Sequence, residues 1–164
     1  QNTAANTVTF TSVIRVALNT TTVTTANDNR IRNLNIVGSS TGQNISTATS
    51  TTGSANTTFG IFLGPNASGD VTAPTAITSV TTGVGAGATA SGFEIDNNRI
   101  VTAARGISMN ASAATVLGGL DISQNEIGNP VAGDVDQVTA AGITIGGSTG
   151  ALISGNTIYL EGYI

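Results

Sequence analysis

Residues 93–100, FEIDNNRI, hold one of four copies of a short pattern, and that pattern decides the fold class. Aligned on the first isoleucine, the copies read IRNLNI from Ile31 to Ile36, IDNNRI from Ile95 to Ile100, ISQNEI from Ile122 to Ile127 and ISGNTI from Ile153 to Ile158. The shared form is I-x-x-N-x-I, with Leu34 standing where Asn98, Asn125 and Asn156 stand in the others. Self-similarity of this kind marks a layered repeat, in which each unit buries its apolar face only by stacking on the next.

Strand periodicity says how the copies stack. Alternate side chains of a strand point to opposite faces, so Phe93 and Ile95, or Leu120 and Ile122, face inward while Glu94 and Asp96, or Asp121 and Ser123, face out. A bend of two or three residues then returns the second isoleucine to the core. Copies in register place isoleucine on isoleucine at the roughly 4.8 Å spacing of neighbouring strands. Each such burial stabilises by about 1.5–3 kcal/mol. The ladder residues are therefore Ile31, Ile36, Ile95, Ile100, Ile122, Ile127, Ile153 and Ile158, with Asn98, Asn125 and Asn156 at the bend. Asparagine tolerates left-handed backbone there, and its amide can bond along the stack. The outward charges agree with the same register: Arg30 falls opposite Glu94, Arg32 opposite Asp96, and Arg99 opposite Glu126.

Downstream of each copy comes a second short element with Gly and Ile: FGIFL at Phe59 to Leu63, GISM at Gly106 to Met109, GITI at Gly142 to Ile145 and GYI at Gly162 to Ile164. The first isoleucines stand 64, 27 and 31 residues apart, so the first interval holds an extra coil or large side loops. Long insertions run from Val37 to Thr58, from Gly64 to Gly92 and from Gly128 to Ala141, and Ala76 to Val80 has the pattern of a further strand. Residues 1–26 read as an incomplete first coil, with strands around Val8 and Phe10 and through Val13 to Leu18. No window keeps helical spacing of apolar residues free of β-branched residues or glycine, so no helix is expected. The 164 residues form a single domain or one segment of a longer stack, and Gln1 reads as a processed or trimmed end. The stack is expected to continue beyond these residues or to be covered by another subunit, because uncapped edges are normally avoided.

Composition narrows the partners. The chain has 39% apolar and only 9% charged residues, no lysine, no histidine and no cysteine, and a net charge of −4. Five dispersed arginines make no basic stripe, which argues against nucleic acid. Without cysteine there is no disulfide frame, thiol chemistry or cysteine zinc site. No apolar run approaches the roughly 20 residues of a membrane helix, so membrane insertion is not expected.

The repeat resembles the coils of the pectate-lyase-like superfamily, which run as I-x-x-N-x-I, a gap, then G-I; the match spans about residues 29–164. The resemblance implies a right-handed parallel β-helix, an all-β solenoid of about four to six coils with long side loops. The Thr/Ser/Asn/Gly-rich texture, as in STATSTTGSANTT, resembles large secreted or surface repeat proteins of bacteria more than the enzymes of that superfamily. The expected function is structural or adhesive, in an extracellular or cell-surface assembly such as a filament, with the long loops as contact surfaces for other subunits or surface glycans. Two alternatives stand beside it. One is a carbohydrate-binding or polysaccharide-degrading protein, and the other a phage tailspike or fibre segment.

An enzyme needs a site. Glycoside hydrolysis requires paired acids on one face, and Glu94, Asp96 and Asp121 are the candidates, although the adjacent aspartates and histidine motif of the resembling hydrolases are missing. Asp134 and Asp136 in GDVDQ are the metal candidates, since carboxylates two apart can share calcium. No complete calcium-loop pattern accompanies them, and no other cofactor is indicated.

Overall fold

Short runs of β-branched residues, each closed by a bend-forming residue, give short parallel strands and no helix among the described residues. The computed structural model describes residues 11–19, 25–38, 58–66, 84, 88–111 and 116–161. The chain enters with β1 (Thr11–Asn19). A first layer follows with β2 (Arg30–Arg32), β3 (Asn35–Val37) and β4 (Thr58–Asn66). The second layer is β5 (Glu94–Asp96), β6 (Arg99–Val101), β7 (Ala103–Asn110) and β8 (Leu117–Gly118). The third is β9 (Asp121–Ser123), β10 (Glu126–Ile127), β11 (Val138–Gly146) and β12 (Ser148–Thr149). Last come β13 (Leu152–Ser154) and β14 (Thr157–Ile158).

These strands make four sheets, in the orders β1-β4-β7-β11, β2-β5-β9-β13, β3-β6-β10-β14 and β8-β12. The register is strict. Ile31 pairs with Ile95, Ile95 with Ile122 and Ile122 with Ile153. Ile36, Ile100, Ile127 and Ile158 form the second column, and Ile14, Ile61, Ile107 and Ile143 a third. The columns meet in one core, which also takes in Val84, Ala88, Ala90, Val116 and Leu117. Phe59 and Phe62 are buried outside that cluster, their rings 4.8 Å apart and tilted by 47°.

The expected right-handed parallel β-helix of four to six coils is corrected by this arrangement. The described residues form four separate short parallel sheets, three of four strands and one of two, and not a single closed solenoid. The physical reason lies at the bends. Most strands are two or three residues long, and the chain leaves most of these through a residue in left-handed conformation, which breaks the ladder before the next sheet begins. Hydrogen bonding therefore runs from layer to layer within a sheet. The inferred strands at Val8 to Phe10, at Ala76 to Val80 and at Gly162 to Ile164 lie outside the described residues, as do most of the long insertions after Val37 and Gly64.

Two columns of bends recur at fixed offsets from the first isoleucine. Asn33, Asn97, Gln124 and Gly155 take φ of 57°, 52°, 56° and 63°. Three residues before each isoleucine, Asp28, Gly92, Gly119 and Gly150 take 55°, 64°, 63° and 68°. The left-handed residue is thus the one before the motif asparagine, not the asparagine itself. The turning residue is mostly exposed and varies among Asn, Gln and Gly, whereas Asn98 and Asn125 are turned inward and buried.

The Gly-Ile pairs have a steric cause. Gly60, Gly106 and Gly142 sit beside the second-isoleucine column, and a Cβ on any of them would run into Cγ2 of Ile100, Ile127 or Ile158. At Gly106 that Cβ would lie 2.6 Å from Ile127 Cγ2 and 2.6 Å from the Gly142 carbonyl oxygen. Glycine at this corner lets one sheet close against the next.

Candidate functional site

Three groups of polar side chains could carry chemistry: the asparagine column, the outward acids and the loop aspartates. The asparagine column is the most completely bonded. Asn125 Nδ2 donates to the Ile95 carbonyl at 2.9 Å and to Asn156 Oδ1 at 2.9 Å, and its backbone N–H donates to the same Oδ1 at 3.0 Å. Asn98 repeats this one layer earlier, donating to the Ile31 carbonyl at 2.8 Å and, from Nδ2 and backbone N–H, to Asn125 Oδ1 at 3.0 Å each. Leu34 N–H donates to Asn98 Oδ1 at 3.1 Å. Each carboxamide oxygen accepts from the preceding layer, and each amide reaches back to a carbonyl there. Leu34 has no oxygen to offer and stands in the first of these layers, where no described layer donates to it.

Glu94, Asp96 and Asp121 lie on one outer face, Glu94 in register with Asp121 and Asp96 with Ser123. Arginines occupy two of the three. Arg30 Nε is 3.0 Å from Glu94 Oε2, and Arg32 bridges Glu94 Oε1 at 3.2 Å and Asp96 Oδ2 at 3.2 Å. Ser123 Oγ donates to Asp96 Oδ1 at 3.3 Å. Asp121 has no arginine partner among the described residues, and its Oδ1 is buried without a hydrogen bond. The cross-layer charge pairs read from the sequence are present, the third being Arg99 Nε to Glu126 Oε1 at 3.5 Å.

Asp134 serves its own loop, and Asp136 ties that loop to the second layer. Asp136 Oδ2 receives Arg99 Nη2 at 3.2 Å, Asp136 Oδ1 accepts from Thr102 Oγ1 at 3.0 Å, and Asp134 Oδ1 accepts from the Asp136 N–H at 3.0 Å. Gln137 Nε2 donates to the Val131 carbonyl, which folds the loop on itself. Among the described residues no group of three or more acidic, His or Cys side chains is gathered as a ligand set for a metal. The contact of Asp136 with Arg99 and Thr102 was not legible in the sequence, because nothing in GDVDQ says which layer the loop folds back on.

Burial lowers the guanidinium pKa of Arg15 and of Arg105. Arg15 Nη2 reaches the Pro65 carbonyl at 3.4 Å.

Arg99, between two carboxylates, gives a direct measure of the outer ladder. Arg99→Ala is expected to cost no more than about 1 kcal/mol in urea unfolding followed by far-UV circular dichroism, since both pairs are partly open to solvent. The cost should shrink in molar salt, as screening removes what remains.

The fourth feature is apolar. Leu152, Ile153, Ile158 and Leu160 are 55%, 52%, 42% and 52% exposed, whereas Ile122 and Ile127, one layer inward, are fully buried. The four exposed residues belong to the last described layer, β13 and β14 with the residues after them; the element expected at Gly162 to Ile164 lies outside the described residues.

Compared with known proteins, the chain matches no family model, no curated protein and no solved structure. With four short sheets in place of a solenoid, this corrects the resemblance to the pectate-lyase-like superfamily and to large bacterial surface repeat proteins. Repeated isoleucines and asparagines specify stacked parallel layers, a solution that physics offers to any chain with that periodicity.

Proposed function

We propose that this chain is a structural module of an extracellular or cell-surface assembly, a rigid stack of layers that presents its loops to partners. One observation supports this most: of the acids that would do chemistry, Glu94, Asp96 and Asp136 are engaged in contacts between layers. Glu94 and Asp96 are bridged by Arg30 and Arg32 across the first two layers, and Asp136 is held by Arg99 and Thr102. An acid pair for glycoside hydrolysis needs one carboxyl to deliver a proton and the other to act as nucleophile or base. Glu94 and Asp96 are instead engaged by Arg30 and Arg32 across two layers, so neither is presented to a substrate as a free carboxyl. The Thr/Asn/Ser-rich, cysteine-free surface suits an environment where neither a thiol nor a strong field is needed.

The test is turnover. The chain is incubated with a panel of acidic and neutral polysaccharides, with and without calcium, and new chain ends and unsaturated products are measured. No cleavage is expected with any substrate. Cleavage that disappears in Glu94→Gln or Asp121→Asn would overturn the structural reading in favour of a polysaccharide-degrading one.

A further inference from the structure

We draw no further inference here: the strongest candidate, the side-chain cluster on β4 and β7 where Arg105 Nε and Ser108 Oγ are buried without hydrogen bonds in register with Phe59 and Phe62, carries nothing because nothing among the described residues shows what covers it.

Discussion

Asn125→Ala should lower the free energy of unfolding by about 3–5 kcal/mol, in urea melts followed by far-UV circular dichroism. The side chain is 1% exposed and lies between two layers. Truncation leaves the Asn98 N–H and Asn98 Nδ2 without their acceptor and the Ile95 carbonyl without its donor. Each buried group so orphaned costs about 1–3 kcal/mol, with the lower end applying wherever water enters the gap. Asn125→Leu should do no better, although leucine is what the first layer carries at this position. Leu34 is tolerated because no described layer donates to it, whereas Asn125 has Asn98 behind it. Asn125→Asp keeps an acceptor for Asn98 but loses the donor to the Ile95 carbonyl and sets a carboxylate against Asn156 Oδ1. It should fall close to the alanine variant at neutral pH. Asn156→Ala, in the last described layer and only partly buried, should cost about half as much, because the groups it abandons are nearer water. If Asn125→Ala and Asn156→Ala cost the same, the carboxamide column does not hold the layers as described here.

How far the sequence spoke depends on which physical question it was asked. Register was legible because a strand's side chains alternate with period two, so Ile95 and Ile122 either stack or expose every apolar residue. Arg30, Arg32 and Arg99 gave a second reading of the same register, since opposite charges must face each other across layers. Closure was not legible. A repeat says which residues are neighbours along the stack, but whether sheets join around one axis depends on the bends and on connections far longer than the repeat. The bends were half legible. Asparagine in the motif signals a turn, yet the left-handed residue is its predecessor, and the clue was Gly155 standing in a column with Asn33, Asn97 and Gln124. The candidate site was least legible. Glu94, Asp96 and Asp121 do share a face and the arginines opposite two of them were legible, but that Arg32 bridges both Glu94 and Asp96, and that Asp121 Oδ1 is buried without a hydrogen bond, were not.

Gly106→Ala should destabilise by about 3 kcal/mol, well beyond Gly119→Ala at about 1 kcal/mol, although the common expectation for these two glycines is the reverse. Gly119 has φ of 63°, where an L side chain is strained by roughly 1–2 kcal/mol, but a Cβ there meets only one atom, at 4.0 Å. Gly106 needs no left-handed backbone. Its added methyl would sit 2.6 Å from the Gly142 carbonyl oxygen and 2.6 Å from Ile127 Cγ2, and the first of these is backbone of the next layer and cannot rotate away. Relief requires β7 and β11 to part, which weakens a register running through Ile107 and Ile143, Ser108 and Thr144, and Met109 and Ile145. Overpacking alone costs about 1–3 kcal/mol, and the strained ladder places this variant at the top of that range. A double-mutant cycle isolates the cause. In an Ile127→Ala background the side-chain half of the clash is gone, so Gly106→Ala should cost about 1 kcal/mol less than in the parent chain. Strict additivity of the two substitutions would mean that the corner glycines are not there to admit the isoleucine column. The match between Gly60, Gly106, Gly142 and their isoleucines would then need another cause.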